Sequence, residues 1–374
     1  MFLSIFSLTG CWDSNEPEQM VYAHGLGIDY KDNKYVIYLQ IVNPSLLAKS
    51  EVAGGGTESK VVVGSGFGKT VNEAIFQVYR STQRRVFWGH LSFIVFTEEA
   101  LKKGGLKATI ELIDRYRETR YSTWMYVTRE PLFQLLTTLP PLEMSTALSK
   151  LSDPKPAYKQ NSMVKPIDLR ELLLSLNEPP HEARIPYIRL NKTSWESDKE
   201  AINTIALGGV AFLTTDTIKV IFLNNKIKGL KWINEDLSRE EISFNNEFSR
   251  TSLLVEKVKV KKIPLIHGDT IRFHLSLDVT TVLRELVSKE TLRSIEKRAE
   301  ESFKKQIKET YLEGVKQDVD MYRLSETVYR KKPKVWKDFE QGGKIPLTED
   351  GLQKITVNVK LVQGAKQRKY PTLE

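Results

Sequence analysis

Apolar and polar positions change rhythm along the chain. Residues 21–30 and 35–42 predict two strands, the second strongly β-prone, with Lys31-Asp32-Asn33-Lys34 between them as a hairpin turn. Val61-Val62-Val63 predicts a third strand, and Val71, Ala74, Ile75, Val78 and Tyr79 then share one face of a helix. Residues 91–96 are almost continuously apolar, the pattern of a strand buried on both faces. A helix with an acidic first turn starts at Glu98 and ends at Gly104-Gly105; another covers 107–117. A strand at 124–127 and a short helix at 132–136, stopped by Pro140-Pro141, complete a region of α/β character.

Residues 152–186 are rich in proline and polar side chains, with one helix predicted at 167–176, and 191–201 are polar. The texture then changes. After strands predicted at 207–213 and 218–223, Val258 and Val260 alternate with Lys257, Lys259 and Lys261. Ile271, Phe273, Leu275, Leu277 and Val279 alternate with Arg272, His274, Ser276 and Asp278. Period two with one polar face predicts an antiparallel sheet with one side in water, turning at His267-Gly268-Asp269; Val357, Val359 and Leu361 repeat the alternation. Between these strands Leu292, Ile295, Ala299, Phe303, Ile307, Tyr311 and Val315 form the apolar stripe of a long helix. Most steps are four residues, so the stripe advances about 40° per step and predicts a helix that wraps across the sheet or bends near Gly314. The expected fold is α+β and multi-domain. An N-terminal α/β domain covers 21–150 and a connecting segment or middle subdomain 151–202. A C-terminal domain, an antiparallel sheet packed on a long helix, covers 203–374.

The beginning of the chain has a different character. Met1-Phe2-Leu3-Ser4-Ile5-Phe6-Ser7-Leu8 is uncharged and mostly apolar, like the h-region of a secretory signal and too short to span a bilayer as a helix. Small Thr9 and Gly10 follow, then Cys11, the only cysteine. Leu8-Thr9-Gly10-Cys11 fits a lipobox, in which the thiol takes an S-diacylglycerol group, with or without an N-acyl chain. Residues 1–10 then read as a residual signal peptide and 11–20 as a lipidated tether. No basic n-region precedes the apolar run, which predicts a natural start further upstream. The alternative is that Cys11 is a small buried hydrophobe in an N-terminal strand. A single cysteine excludes an internal disulfide, so stability has to come from a sizeable core.

At 374 residues, 40% hydrophobic and 28% charged, the chain can supply that core in two or three domains. No later run approaches the roughly 18 apolar residues of a membrane span. The formal charge is +9, with basic groups at 257–262, 331–334 and 366–369. None is organised as a helix-turn-helix, RRM or zinc motif, which favours anionic lipid or a protein partner and no nucleic acid.

Gly64-Ser65-Gly66-Phe67-Gly68-Lys69-Thr70, after a strand and before a helix, imitates a phosphate-binding P-loop. The spacing fails, because the first glycine belongs at position 63, where Val63 stands. A Gly-rich strand-to-helix turn with Thr70 as N-cap is the better reading, and nucleotide binding through Lys69 and Thr70 is the alternative. His24, His90, His181, His267 and His274 are far apart without metal-ligand spacing, and neither G-x-S-x-G nor H-E-x-x-H occurs. His90, beside Gly89 and ahead of a buried strand, is the histidine most open to a chemical role. No catalytic residue, metal or cofactor is expected.

Leu8-Thr9-Gly10-Cys11-Trp12-Asp13 with Glu16 resembles the signature of the Ger(x)C family of spore-germination lipoproteins, the C subunits of nutrient germinant receptors. Gly89-His90-Leu91, Glu98-Glu99-Ala100-Leu101 and the stretch 115–120 are similar to its N-terminal region. Leu207-Gly208-Gly209-Val210-Ala211-Phe212 is similar to the opening of its C-terminal domain. Asp318 to Asp320, Arg330-Lys331-Lys332-Pro333, Trp336, the stretch 357–359 and Gly364 are similar to its closing segment. The chain departs in its shorter signal and in Val319-Asp320-Met321-Tyr322, which lacks the family's glycine turn. The resemblance implies three packed α+β domains and a lipoprotein on the extracytoplasmic face of the spore inner membrane. It implies assembly with two integral-membrane receptor subunits, no chemistry, and at most an indirect relation to the nutrient germinant. An extracytoplasmic small-molecule binding protein is a further alternative.

Overall fold

β1 (Met20–Lys31) and β2 (Lys34–Val42) pair antiparallel through a tight turn in which Asp32 and Asn33 both adopt positive φ, a conformation these two residue types tolerate. In this computed structural model the described residues are 20–42, 61–141, 146–198, 200–246, 249–287 and 290–362. Leu8, Thr9, Gly10, Cys11 and the basic group at 366–369 lie outside them.

β3 (Val61–Gly68) adds to β2, and β4 (Arg85–Phe87) and β5 (Phe93–Thr97) run parallel to β1. β6 (Trp124–Thr128) and β7 (Ala183–Asn191) continue the parallel part. β8 (Thr204–Leu213) and β9 (Ile218–Leu223) close the sheet antiparallel, in the order β3-β2-β1-β5-β6-β7-β8-β9 with β4 also on β1. β5 is buried along its whole length. Ile94 and Phe96 pack on the side of the helices Val71–Ser81 and Leu169–Asn177, whereas Phe93 and Val95 meet Leu132, Leu135 and Leu136 of the helix Leu132–Thr137.

Two features depart from the sequence expectation. β7 falls in the stretch read as a connecting segment, and of β8 and β9, expected to open a separate C-terminal domain at 203, β8 hydrogen-bonds onto β7 and β9 onto β8. The sheet therefore runs across that boundary. The physical reason is that β8 serves both halves: Ala211 and Leu213 belong to the first core, Val210 and Phe212 to the second.

The second sheet has the order β10 (Glu240–Asn246), β11 (Ser249–His267), β12 (Thr270–Val287) and β13 (Leu352–Val362). The first three strands are antiparallel, and β13 joins β12 in parallel, because the chain returns through the helices Leu292–Lys316, Leu324–Lys331 and Pro333–Phe339. Thr291 caps the long helix, accepting from the Ser294 N–H at 3.3 Å. Its stripe of Ile295, Ala299, Phe303, Ile307 and Tyr311 is buried with Phe273, Leu275, Leu277 and Val357. Trp232 meets Phe303 edge-on at 4.7 Å and donates to Gln306 Oε1 at 2.9 Å. Gly314 marks a close approach within the helix: a Cβ there would lie 2.4 Å from Met321 Cγ. The fold is α+β, with two sheets and a long helix, as expected.

Candidate functional site

The segment that imitates a P-loop is strand as far as Gly68. Its glycines are required by packing: a Cβ on Gly66 would sit 2.3 Å from the Ala74 carbonyl oxygen, and one on Gly68 2.7 Å from the Ala74 nitrogen. The helix Val71–Ser81 therefore crosses directly over the strand. Two donors at this junction are used internally: the Glu73 N–H bonds Thr70 Oγ1 at 3.1 Å and the Glu73 carboxylate accepts from the Lys69 N–H at 2.7 Å. Thr70 is the expected cap. No loop is left to cradle a phosphate there, which corrects the nucleotide-binding alternative.

Among the histidines, the structure singles out His24 instead of His90. His90 is exposed, edge-on to Tyr22. His24 is 3% exposed, with Ser92 Oγ 3.3 Å from Nδ1 and Ser152 Oγ 2.9 Å from Nε2. Burial pushes its pKa from 6.5 down to about 4, the nearby His90 adding to the shift. A histidine depressed in the fold stays neutral while the unfolded chain protonates. Its contribution is thus fully present above pH 6.5 and is lost as pH falls toward 4. We expect roughly 2–3 kcal/mol less stability at the acid end of that window, read from urea midpoints, with the slope flattened in His24→Gln; an unchanged slope contradicts the assignment. Among the described residues no group of three or more His, Cys, Asp or Glu is placed to hold a metal ion.

The most concentrated charge chemistry joins the two halves. Glu182, just ahead of β7 and 7% exposed, receives Lys219 of β9 at 2.6 Å and accepts from the Asp320 N–H at 3.2 Å; Lys344 stands 3.8 Å away. Lys219 and Lys344 also pair with Asp318. The buried Asp320 carboxylate caps the helix Leu324–Lys331, accepting from Leu324 at 2.9 Å and Ser325 at 2.7 Å. Nearby, burial pushes Lys262 down to about 8 despite the attraction of Asp320. Arg330 reaches Glu178 at 2.6 Å. Nothing local in the sequence marks Glu182, because its partners lie far along the chain.

A cavity of about 250 Å³ opens beside β6 and β7, lined among others by Tyr126, Lys150, Tyr158, Met163 and Asn224. Burial lowers the Lys150 pKa, and Asn224 Oδ1 has no hydrogen-bond partner among the described residues.

Two family models cover most of the chain: a spore germination protein N-terminal domain over residues 13–190, and the C-terminal domain of B3/GerAC-like spore germination proteins over 208–363. The fold and these matches define a spore-germination protein. More particularly, the chain belongs to the Ger(x)C family. It is 27% identical to spore germination protein KC of Bacillus subtilis over 90% of its own length and 87% of that protein. It is 29% identical to spore germination protein B3 of the same organism over 34% of this chain and 33% of that one. The crystal structure of the GerBC protein shares the fold, with a TM-score of 0.55 at 14% identity, covering 90% of this chain and 97% of GerBC.

Proposed function

We propose that this chain is a non-enzymatic, lipid-anchored subunit of a nutrient germinant receptor. It is held through Cys11 on the extracytoplasmic face of the spore inner membrane and assembled with two integral-membrane subunits. The observation that carries this reading is the lipobox Leu8-Thr9-Gly10-Cys11 immediately ahead of a body matched by the family from residue 13 onward. Residues 1–10 are removed and 11–20 form the tether. No helix among the described residues is long and apolar enough to cross a membrane, so stable retention calls for the two acyl chains of a diacylglyceryl group. The relatives are named as germination proteins, which supports assembly and signalling as the role. The nutrient acts on this subunit indirectly, through its partners.

A tagged chain expressed from its native locus should bring two integral-membrane subunits out of detergent-solubilised spore membranes. Recovery of the tagged chain alone would contradict the proposal. The cavity beside Tyr126 and Lys150 favours a second reading, direct binding of a small nutrient. A saturable rise in melting temperature with a germinant, abolished by Lys150→Met, would establish it.

A further inference from the structure

An arginine-rich pocket of about 560 Å³ lies on the first half of the molecule. Its walls are the end of the helix Val71–Ser81 with the following loop, the start of β4, and the turn after the helix Gly105–Ile113. Arg84 and Arg85 line one side and Arg115 and Arg117 the other, all exposed, with Glu118 as the single carboxylate of the lining. The guanidinium groups of Arg115 and Arg117 at this opening favour an anion, and guanidinium matches the geometry of phosphate oxygens better than ammonium does.

The floor is aromatic and held rigid. Tyr79 and Tyr116 join through their hydroxyls at 3.0 Å, Trp88 Nε1 donates to the Tyr79 hydroxyl at 2.8 Å, and Trp88 stacks on Tyr116 at 5.5 Å. Phe76, one turn earlier on the helix, lies 5.5 Å from the Tyr79 ring with 52% of its surface exposed. Cations, amphipathic aromatics and a protruding apolar ring are the side chains that settle at a membrane surface.

The pocket also sits where the chain arrives from Cys11. β4 runs parallel to β1, and Met20, the first described residue, is paired with Arg85 of the pocket wall. Only nine residue steps separate Cys11 from Met20, and they span at most about 32 Å.

We propose that this pocket binds the phosphate headgroup of an anionic phospholipid and so seats the domain on the bilayer to which Cys11 tethers it. This deepens, and rests on, the anchoring reading above. Another basic area, with Lys257, Lys259 and Lys261 of β11 and, across the intervening β12, Lys354 and Lys360 of β13, is a sheet face interrupted by Asp278, which accepts from Asn358 at 2.9 Å. It provides the control for charge alone.

The test uses the full chain carrying Cys11→Ala, so that no acyl group contributes, with vesicles of phosphatidylcholine alone or mixed with phosphatidylglycerol. Binding should require phosphatidylglycerol, and Arg115→Gln with Arg117→Gln should weaken it roughly 30-fold, about fivefold per arginine at an anionic surface. Both side chains are exposed, so the melting temperature should be unchanged. The triple variant Lys257→Gln, Lys259→Gln, Lys261→Gln should retain binding within a few-fold. Equal loss in the lysine variant, or full retention in the arginine variant, would overturn the proposal. Displacement by millimolar inorganic phosphate at matched ionic strength would assign the pocket to a free anion and overturn the membrane source. Binding of an acidic peptide by the same arginines, with no binding to phosphatidylglycerol vesicles, would assign the pocket to a protein partner and likewise overturn the membrane source. An unmodified Cys11 in the native protein would remove the anchoring reading while leaving the vesicle result as measured.

Discussion

Cys11→Ala is expected to release the protein from spore membranes into the aqueous fraction and to slow nutrient germination, with germination by non-nutrient routes unchanged. The size of the effect follows from chain arithmetic. One acyl chain of about 14 carbons gives a membrane association constant of only ~10⁴ M⁻¹, and a second chain adds a comparable transfer free energy, which raises that constant by several further orders of magnitude. Losing the thioether removes both. The arginine pocket cannot replace them, because its attraction is screened within about 3 Å at ~1 M salt, whereas apolar transfer is not. Wild-type protein should therefore remain on washed membranes at high salt, and the variant should wash off. Unchanged retention and germination in Cys11→Ala would remove the anchor from the account.

The second large effect lies at the joint between the halves. Glu182→Ala deletes the carboxylate that receives Lys219 at 2.6 Å and the Asp320 N–H at 3.2 Å. It leaves Lys219 and Lys344 dependent on Asp318, whose side chain is 74% exposed. Removing one partner of a buried ion pair costs about 3–5 kcal/mol, because the remaining charge stays desolvated. Glu182→Gln keeps an acceptor for Asp320 and should cost less. In urea, the Ala variant should unfold at a lower midpoint and in two resolved steps, as the halves lose their coupling. A midpoint within about 0.5 kcal/mol of wild type, the range of ordinary surface substitutions, would show that the apolar surfaces of β8 hold the halves together without this joint.

How much of this was legible depended on whether the signal was local. The β1–β2 and β11–β12 hairpins and the long helix were readable because their periodicity and turn residues lie within a few positions of one another. β7 was missed: Pro179-Pro180 and Pro186 mark a break, yet the strand begins three residues after the first pair and accommodates Pro186 within it. The parallel placement of β13 could not be read from alternation, which reports faces and not neighbours. Gly66 and Gly68 imitate a nucleotide motif because close helix-on-strand packing and phosphate approach both require the absence of a Cβ.

The residues that carry the family resemblance within the body have structural work. Asp318 and Asp320 build the ionic joint and a helix cap, and Trp336 is buried edge-on against Tyr329. A Cβ on Gly209 would collide with the Phe222 carbonyl oxygen at 2.0 Å. Glu182 had no sequence signature, and of the arginine pocket only the stretch 115–120 stood out, since each is assembled from segments tens of residues apart. Cys11 is the opposite case: the role proposed for it rests on the local run Leu8-Thr9-Gly10-Cys11, which lies outside the described residues.

The intact mass of the protein purified from spores, expressed from its native locus, tests the anchoring claim most directly. The expected species is a chain that begins at Cys11 and carries a diacylglyceryl increment on that residue. A chain that retains residues 1–10 with an unmodified thiol would contradict it.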